Sequence, residues 1–435
     1  MEFSKHNIFS KITDSDSYYI VNPLSGQADI LSAQEAKMFI EKRIINVQEY
    51  ADKGYLVDPK EEEKLFKKKY LDFIDERDQD EVQLFFTPWY SCNFDCSYCF
   101  QDEYTNTNEN VQREVIDGFY NYVDTQFAHR KKYITIFGGE PLLTSPSKKE
   151  SIKQIIEKAT ERNLDIALVT NGYNISEYID ILKSARIREI QVTMDGTQVV
   201  HDSRRMLKGG QGSFEKIVQG IDLLLENNIP VNMRMIVDRD NVNNLPGLAR
   251  FAIKKGWTKS PFFKTALGRN YELHHCQTNN SRLFSRIEMY QEIYKIVNEH
   301  PEVLEFHKPS FSIAKFIFEN GELPNPLFDS CSGGKTEWAF DYSGKIYSCT
   351  ATVGNQGDEL GTFYPQIELK HDLIEEWEER DVLSIKECNN CPVQLACGGG
   401  CAAIAKNRTG KLHAPDCRPI KGLLELGIGL YSKMN

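Results

Sequence analysis

"CNFDCSYCF" (residues 92–100) carries three cysteines at intervals of four and three, with aromatic residues between them. Three thiolates on one short loop hold three corners of an iron–sulfur cube, and a closed cube takes four ligands. One iron is then left for a small molecule. The same spacing also suits a catalytic zinc site with three protein ligands and a water, or a plain group of buried thiols. The loop follows "VQLFFTPWY" (82–90), an apolar run that reads as a strand. The thiols therefore stand at a strand's C-terminal end.

Outward from this loop the chain alternates. "ENVQREVIDGFYNYVDTQF" (109–127) puts Val111, Val115, Phe119, Val123 and Phe127 on one helical face. "YITIFGGEP", "IALVTNGY", "EIQVTMDG", "VNMRMIVDR" and "SPFFKTALG" read as strands. "KKESIKQIIEKATERN", "ISEYIDILKSA", "SFEKIVQGIDLLLENN" and "NLPGLARFAIKKG" read as the helices between them. Residues 81–267 thus hold six βα-type repeats, which predict parallel strands with helical crossovers, a partial (β/α)6 TIM-like barrel within an α/β protein. Several strands end in polar or glycine-rich turns, and chemistry in barrel-like folds gathers at those ends.

Around this barrel the expectations are coarser. Residues 1–80 lack cysteine and read as a small α/β module, with two strands in 18–32 turning at Gly26 and helices after them. Residues 268–330 read as a helical bridge and 421–435 as a closing helix. Residues 331–420 are cysteine- and glycine-rich with few periodic elements, so that segment depends on metal for its fold.

The 435 residues carry a formal charge of −11, which argues against a sequence-independent nucleic-acid binder. No apolar run of about 18 residues is present, so no membrane span is expected, nor is a secretory signal. In a reducing cytoplasm, eleven closely grouped cysteines point to metal or catalysis before disulfides.

"CNFDCSYCF" matches the CxxxCxφC motif of the radical S-adenosylmethionine (SAM) enzymes, with Tyr98 at the aromatic position. The resemblance implies a 4Fe–4S cluster on Cys92, Cys96 and Cys99 whose open iron chelates SAM, and reductive cleavage of SAM to a 5′-deoxyadenosyl radical. "GGEP" (138–141) resembles the family's second-strand motif, which implies SAM contacts from Gly138, Gly139 and Glu140. "TMDG" (193–196) resembles a fourth-strand "SLDG", with Thr193 in place of serine. "HDSRR" resembles the following HDxxR, with His201, Asp202 and Arg205 in register, and Arg205 is the expected partner of the SAM carboxylate. Without that context each stretch reads as a turn or a solvated loop.

The remaining cysteines run Cys331-x12-Gly344-x4-Cys349, then Cys388-x2-Cys391-x5-Cys397-x3-Cys401, then Cys417. Paired CxxC units also make four-thiolate zinc sites. The spacing is similar to the SPASM extension of one branch of radical SAM enzymes, which carries two auxiliary 4Fe–4S clusters. By that resemblance Cys388, Cys391, Cys397 and Cys417 ligate the outer cluster, and Cys331, Cys349 and Cys401 hold three corners of the inner one. Cys276, beside His274 and His275, either completes the inner cluster or is a bystander.

Enzymes of this layout mostly modify peptides or proteins. The leading expectation is a maturase that oxidatively modifies a ribosomally made peptide, forming a thioether, C–C or C–O crosslink, with a flavodoxin or ferredoxin as reductant; residues 1–80 are either a structural cap or a module that captures a leader peptide. The alternative is an anaerobic sulfatase-maturing, formylglycine-generating enzyme. In that branch an aspartate follows the second SPASM cysteine, and here Thr350 stands there. A non-catalytic zinc-binding scaffold is the reading of a different class.

Overall fold

The computed structural model describes residues 1–43, 46–99, 101, 110–270 and 280–434. Cys276, His274 and His275 lie outside the described residues.

The apolar runs form strands at Val82–Thr87, Lys132–Ile136, Ile166–Thr170, Ile187–Thr193, Val231–Val237 and Phe263–Arg269. They pair in parallel and in chain order. Each pair is joined by helical structure, as βαβ logic requires. The alternation read from the sequence is therefore a single-wound parallel sheet that places every strand's C-terminal end on one rim. The Arg113–Gln126 helix buries the expected stripe, and Val115, Phe119 and Val123 are all in the core. The Phe119 ring lies 4.5 Å from Phe86 and 5.2 Å from Phe340. Both aromatic contacts come from neighbouring strands, so this helix pins the start of the barrel to the C-terminal segment.

That segment contains more regular structure than its sequence suggests. Glu337–Asp341 runs parallel to Val82–Thr87 and joins the same sheet. Lys345–Tyr347, Glu359–Thr362 and Glu368–Leu369 follow as antiparallel strands, giving a ten-stranded sheet. These strands are two to five residues long, too short to show alternation. The sheet thus runs on past residue 330. Helices Arg286–Glu299, Val303–Phe306 and Ala314–Asn320 occupy the bridge.

The N-terminal module is an antiparallel sheet of Ile8–Lys11, Tyr18–Asn22 and Gln27–Leu31, in that order. Its first strand was not expected. Helix Ala33–Ile40 starts with a capping box between Ser32 and Glu35. The long Pro59–Gln79 helix buries no residue fully, yet Phe66, Tyr70 and Phe73 all place rings 5.2–5.6 Å from Phe328. The closing helix, Ile420–Tyr431, covers the Ile8–Lys11 edge, where Thr13 N donates to Glu425 O at 3.1 Å. No helix among the described residues is long and apolar enough to cross a membrane.

Candidate functional site

The three-cysteine loop is built into the rim from two sides. Phe94–Cys96 pairs antiparallel with Arg205–Leu207, and Arg205 is the direct partner of Cys96. That ladder brings "HDSRR" beneath the thiols. Arg205 Nη1 donates to the Tyr98 hydroxyl at 2.7 Å, and that hydroxyl donates to Asp195 Oδ2. Asp195, fully buried, also accepts from Ile236 N at 2.9 Å. Arg204 lies over the Tyr98 ring, 5.1 Å from its centroid, and forks onto Asp238 at 2.9 and 3.0 Å. Arg282 Nη2 donates to Ser97 O at 2.7 Å. A single charged layer thus holds the peptide that presents Cys96 and Cys99.

The other motif residues carry structural duties here. His201 accepts from Asp195 N at 3.2 Å through Nδ1, which leaves Nε2 to donate to Ser213 Oγ at 3.0 Å. Burial, with Arg205 and Arg204 adding, pushes its pKa well down and keeps it neutral. Asp202 Oδ1 accepts from Ser213 N and Phe214 N at 2.7 and 2.9 Å, a cap supplied from outside the Phe214–Glu226 helix.

At the second strand's end, Gly138 and Gly139 have φ of 97° and 51°. A Cβ on Gly139 would lie 2.3 Å from Ser91 O. The close approach these glycines permit is to the chain's own cysteine loop. Glu140 is buried and accepts three hydrogen bonds, from Leu142 N (2.8 Å), Thr170 Oγ1 (2.6 Å) and Asn171 N (2.6 Å). Burial raises its pKa against those donors. A carboxylate offers about four acceptor positions, and three are taken here. Thr193 is buried at the end of the fourth strand.

Sequence reasoning did not single out Asn93, Asn171, Asp195, Arg204 or Asp238. Asn171 Nδ2 donates to Asn93 Oδ1 at 2.8 Å, next to Cys92. "TNGY" and "TMDG" were visible as polar strand ends, but which of their side chains meet is decided by strand order.

The ten described cysteines are free of disulfides. Burial pushes the Cys92 thiol up to about 12, with Glu140, Cys96 and Cys99 also acting on it. Burial raises Cys349, on which Glu337, Cys331 and Cys401 act. Burial raises Cys388 to about 11, with Cys397, Cys391 and Cys417 acting on it. Within each expected set, thiols thus act on one another electrostatically. Among the described residues, no three His, Cys, Asp or Glu side chains converge as ligands of one metal ion. A cube takes one thiolate per corner, so its ligands need not meet at a point.

The first set fits an anionic chelating ligand on a cluster. It offers three thiols from one loop. Beside them Arg205 Nε and Gln101 Nε2 are buried donors with no partner among the described residues. Although burial opposes it, Cys96, Tyr98 and Asp195 hold Arg205 protonated.

Residues 86–252 match the family described as the Radical SAM superfamily. Among curated proteins, a probable GTP 3′,8-cyclase of Methanocaldococcus jannaschii is 28% identical over 37% of this chain and 51% of its own. A cysteine-type anaerobic sulfatase-maturating enzyme of Clostridium novyi is 24% identical over 38% of this chain and 46% of its own. The chain thus spans about half the length of these relatives. Two solved structures share the fold. Native anSMEcpe with bound AdoMet aligns with TM-score 0.64 and 18% identity over 82% of this chain and 99% of that one. Streptococcus suis SuiB bound to precursor peptide SuiA aligns with TM-score 0.55 and 12% identity over 96% and 99%.

Proposed function

We propose, from the premise that residues 86–252 form a radical SAM domain, that the chain is a radical SAM/SPASM oxidoreductase that modifies a peptide or protein by hydrogen abstraction. The observation that carries this reading is the clustering of Cys92, Cys96 and Cys99 on a loop laddered to Arg205 at the rim of the six-stranded parallel sheet. A radical SAM domain implies one 4Fe–4S cluster and SAM; three clusters, with the second and third on Cys331, Cys349 and Cys401 and on Cys388, Cys391, Cys397 and Cys417, are part of the proposal. When bound, the reduced cluster and SAM supply a 5′-deoxyadenosyl radical that takes hydrogen from a substrate carbon.

This chain's residues orient and enclose. Arg205 offers a fixed cation, and Glu140 one remaining acceptor, to the two ends of an amino-acid moiety. Trp89, Phe94 and Met194, all buried, pack apolar side chains at or next to the strand ends of the rim. A substrate peptide is supported by the fold shared with SuiB bound to SuiA. It is also supported by the N-terminal sheet, whose Ile8–Lys11 edge is covered while Gln27–Leu31 is the opposite edge strand, with Ile30 exposed. Beside that strand lies a cleft lined by Met38, Phe39 and Tyr50. Leader capture by strand addition there belongs to the proposal, as do a flavodoxin- or ferredoxin-type donor and a reducing cytoplasm.

A second reading, sulfatase maturation, is favoured by one specific contact. Thr350 replaces the expected aspartate, but Thr350 N donates to Glu337 Oε1 at 3.1 Å. A carboxylate thus still sits beside Cys349 and is available as a base.

The test is anaerobic reconstitution. The expected content is about twelve irons per chain, with SAM cleaved to 5′-deoxyadenosine. Replacing Cys92, Cys96 and Cys99 by alanine should abolish cleavage and leave about eight irons. Cleavage at the wild-type rate in that variant refutes the site assignment. Mass spectrometry of co-expressed peptide separates the two readings: a crosslink loses hydrogen and keeps sulfur, whereas formylglycine formed from cysteine loses the sulfur.

A further inference from the structure

Arg380 is wholly buried, and its guanidinium is spent on backbone carbonyls. Nε donates to Leu412 O at 2.8 Å, Nη1 to Gly400 O at 3.2 Å, and Nη2 to Gly399 O at 3.1 Å and Ala414 O at 2.9 Å. These carbonyls lie on two loops. One is "CGGGC" (397–401), which joins Cys397 of the outer set to Cys401 of the inner set. The other leads to Cys417.

The first loop is wound tightly around the cation. Gly398, Gly399 and Gly400 have φ of 61°, 75° and 74°, three left-handed residues in a row. A Cβ on Gly400 would lie 2.0 Å from Asp416 O, and one on Gly398 would lie 2.6 Å from Ser330 N. Only glycine permits this path. Ser330 immediately precedes Cys331, so the turn also touches the other end of the inner set.

Buried charged side chains accompany Arg380. Asp329 Oδ1 is 3.8 Å from Nη1, and Asp329 Oδ2 is held by Lys335 Nζ at 2.6 Å. Lys335 Nζ also donates to Cys331 O at 3.3 Å and Arg380 O at 3.0 Å. The side chains of Arg380, Lys335 and Asp329 are 0%, 3% and 2% exposed. Asp381, also buried, follows Arg380 directly, and Glu378 acts on Lys335, so carboxylates of this cluster answer its cations. Ligating cysteines bind as thiolates, and Lys335, bonded to Cys331 O, puts a cation beside the inner set.

We infer that Arg380 is a positioning residue shared by both C-terminal cysteine sets. Its fork fixes the turn from Cys397 to Cys401 and the approach to Cys417, so neither set loads without the other, while the Lys335 cation beside Cys331 offsets thiolate charge there. The inference rests on the reading of these sets as iron–sulfur sites.

The test uses the full chain, reconstituted anaerobically, as wild type, Arg380→Lys, Arg380→Gln and Lys335→Met. Iron and sulfide are counted, and the midpoint potentials of the C-terminal clusters are measured with Cys92, Cys96 and Cys99 replaced by alanine. Neither lysine nor glutamine rebuilds a four-carbonyl fork, so with Cys92, Cys96 and Cys99 intact both Arg380 variants should lose iron from both sets together, falling from about twelve to about four irons per chain. Loss confined to one set, near eight irons, or no loss overturns the shared bracket. Lys335→Met leaves the fork intact and should keep its iron while shifting the potentials negative. Unshifted potentials overturn the charge role, which loss of packing alone would not produce. If wild type carries zinc without sulfide, the iron–sulfur reading fails, while paired or unpaired zinc loss in the Arg380 variants still decides the bracket.

Discussion

Arg205 donates to the hydroxyl of Tyr98 at 2.7 Å, and the same hydroxyl donates to Asp195, so one phenol joins a buried cation to a buried anion beneath the three-cysteine loop. Tyr98→Phe keeps the ring and removes the joint, taking the partner from Arg205 Nη1, while Asp195 Oδ2 keeps Arg204 Nε at 3.4 Å. An unpaired buried polar group costs about 1–3 kcal/mol. Iron retention at the first site and SAM affinity should both fall, with C-terminal iron unchanged. Iron content and SAM binding at wild-type values would show that the layer does not hold the loop.

Asp202 caps the Phe214–Glu226 helix from another element through two backbone N–H groups. Asp202→Ala should lower stability by about 0.5–2 kcal/mol, the usual cost of a lost cap. Thermal melting of the reconstituted protein reads it, and Asp202→Asn, which keeps an acceptor oxygen, should recover most of the loss.

Acid sensitivity should come from buried histidines. Burial pushes His6 down to about 4, with Lys5 adding, and burial pushes His307 down to about 4. A histidine that protonates less readily when folded favours the unfolded chain as pH falls from about 6.5 towards 4. Stability should therefore be flat above pH 7 and drop through that window. His6 stacks on Phe66 at 5.4 Å, and neither ring nitrogen has a partner among the described residues. His6→Phe should keep the stack, raise stability at pH 7 by about 1 kcal/mol and flatten the acid limb. Denaturant midpoints measured from pH 4 to 8 test both statements.

Ile30, 55% exposed on the Gln27–Leu31 strand, is far in sequence from every cysteine set. Ile30→Glu should weaken binding of a leader-bearing peptide at least tenfold, about 1.4 kcal/mol, while peptide-independent SAM cleavage stays at the wild-type level. Unchanged affinity by fluorescence anisotropy would remove this edge from the proposal.

Phe119 meets Phe86 and Phe340 at the junction of barrel and C-terminal segment. Phe119→Ala should cost about 3–5 kcal/mol and loosen both regions together. Two separate melting transitions with only one of them lowered would contradict a common core.

What the chain's own order determined was whatever depends on near neighbours. The six strands of the barrel and the buried stripe of Val115, Phe119 and Val123 are legible because periodicity acts over a few residues. Tertiary structure decided the rest. Arg205 is opposite Cys96, Glu140 already holds Thr170 and Asn171, Glu337 sits by Thr350, and the Glu337–Asp341 strand completes the barrel sheet. Each of these pairs joins residues 13 to 254 positions apart. Local pattern says that a side chain is polar or that a run is extended. Only the register of neighbouring strands and the close packing of the rim say which polar group it faces.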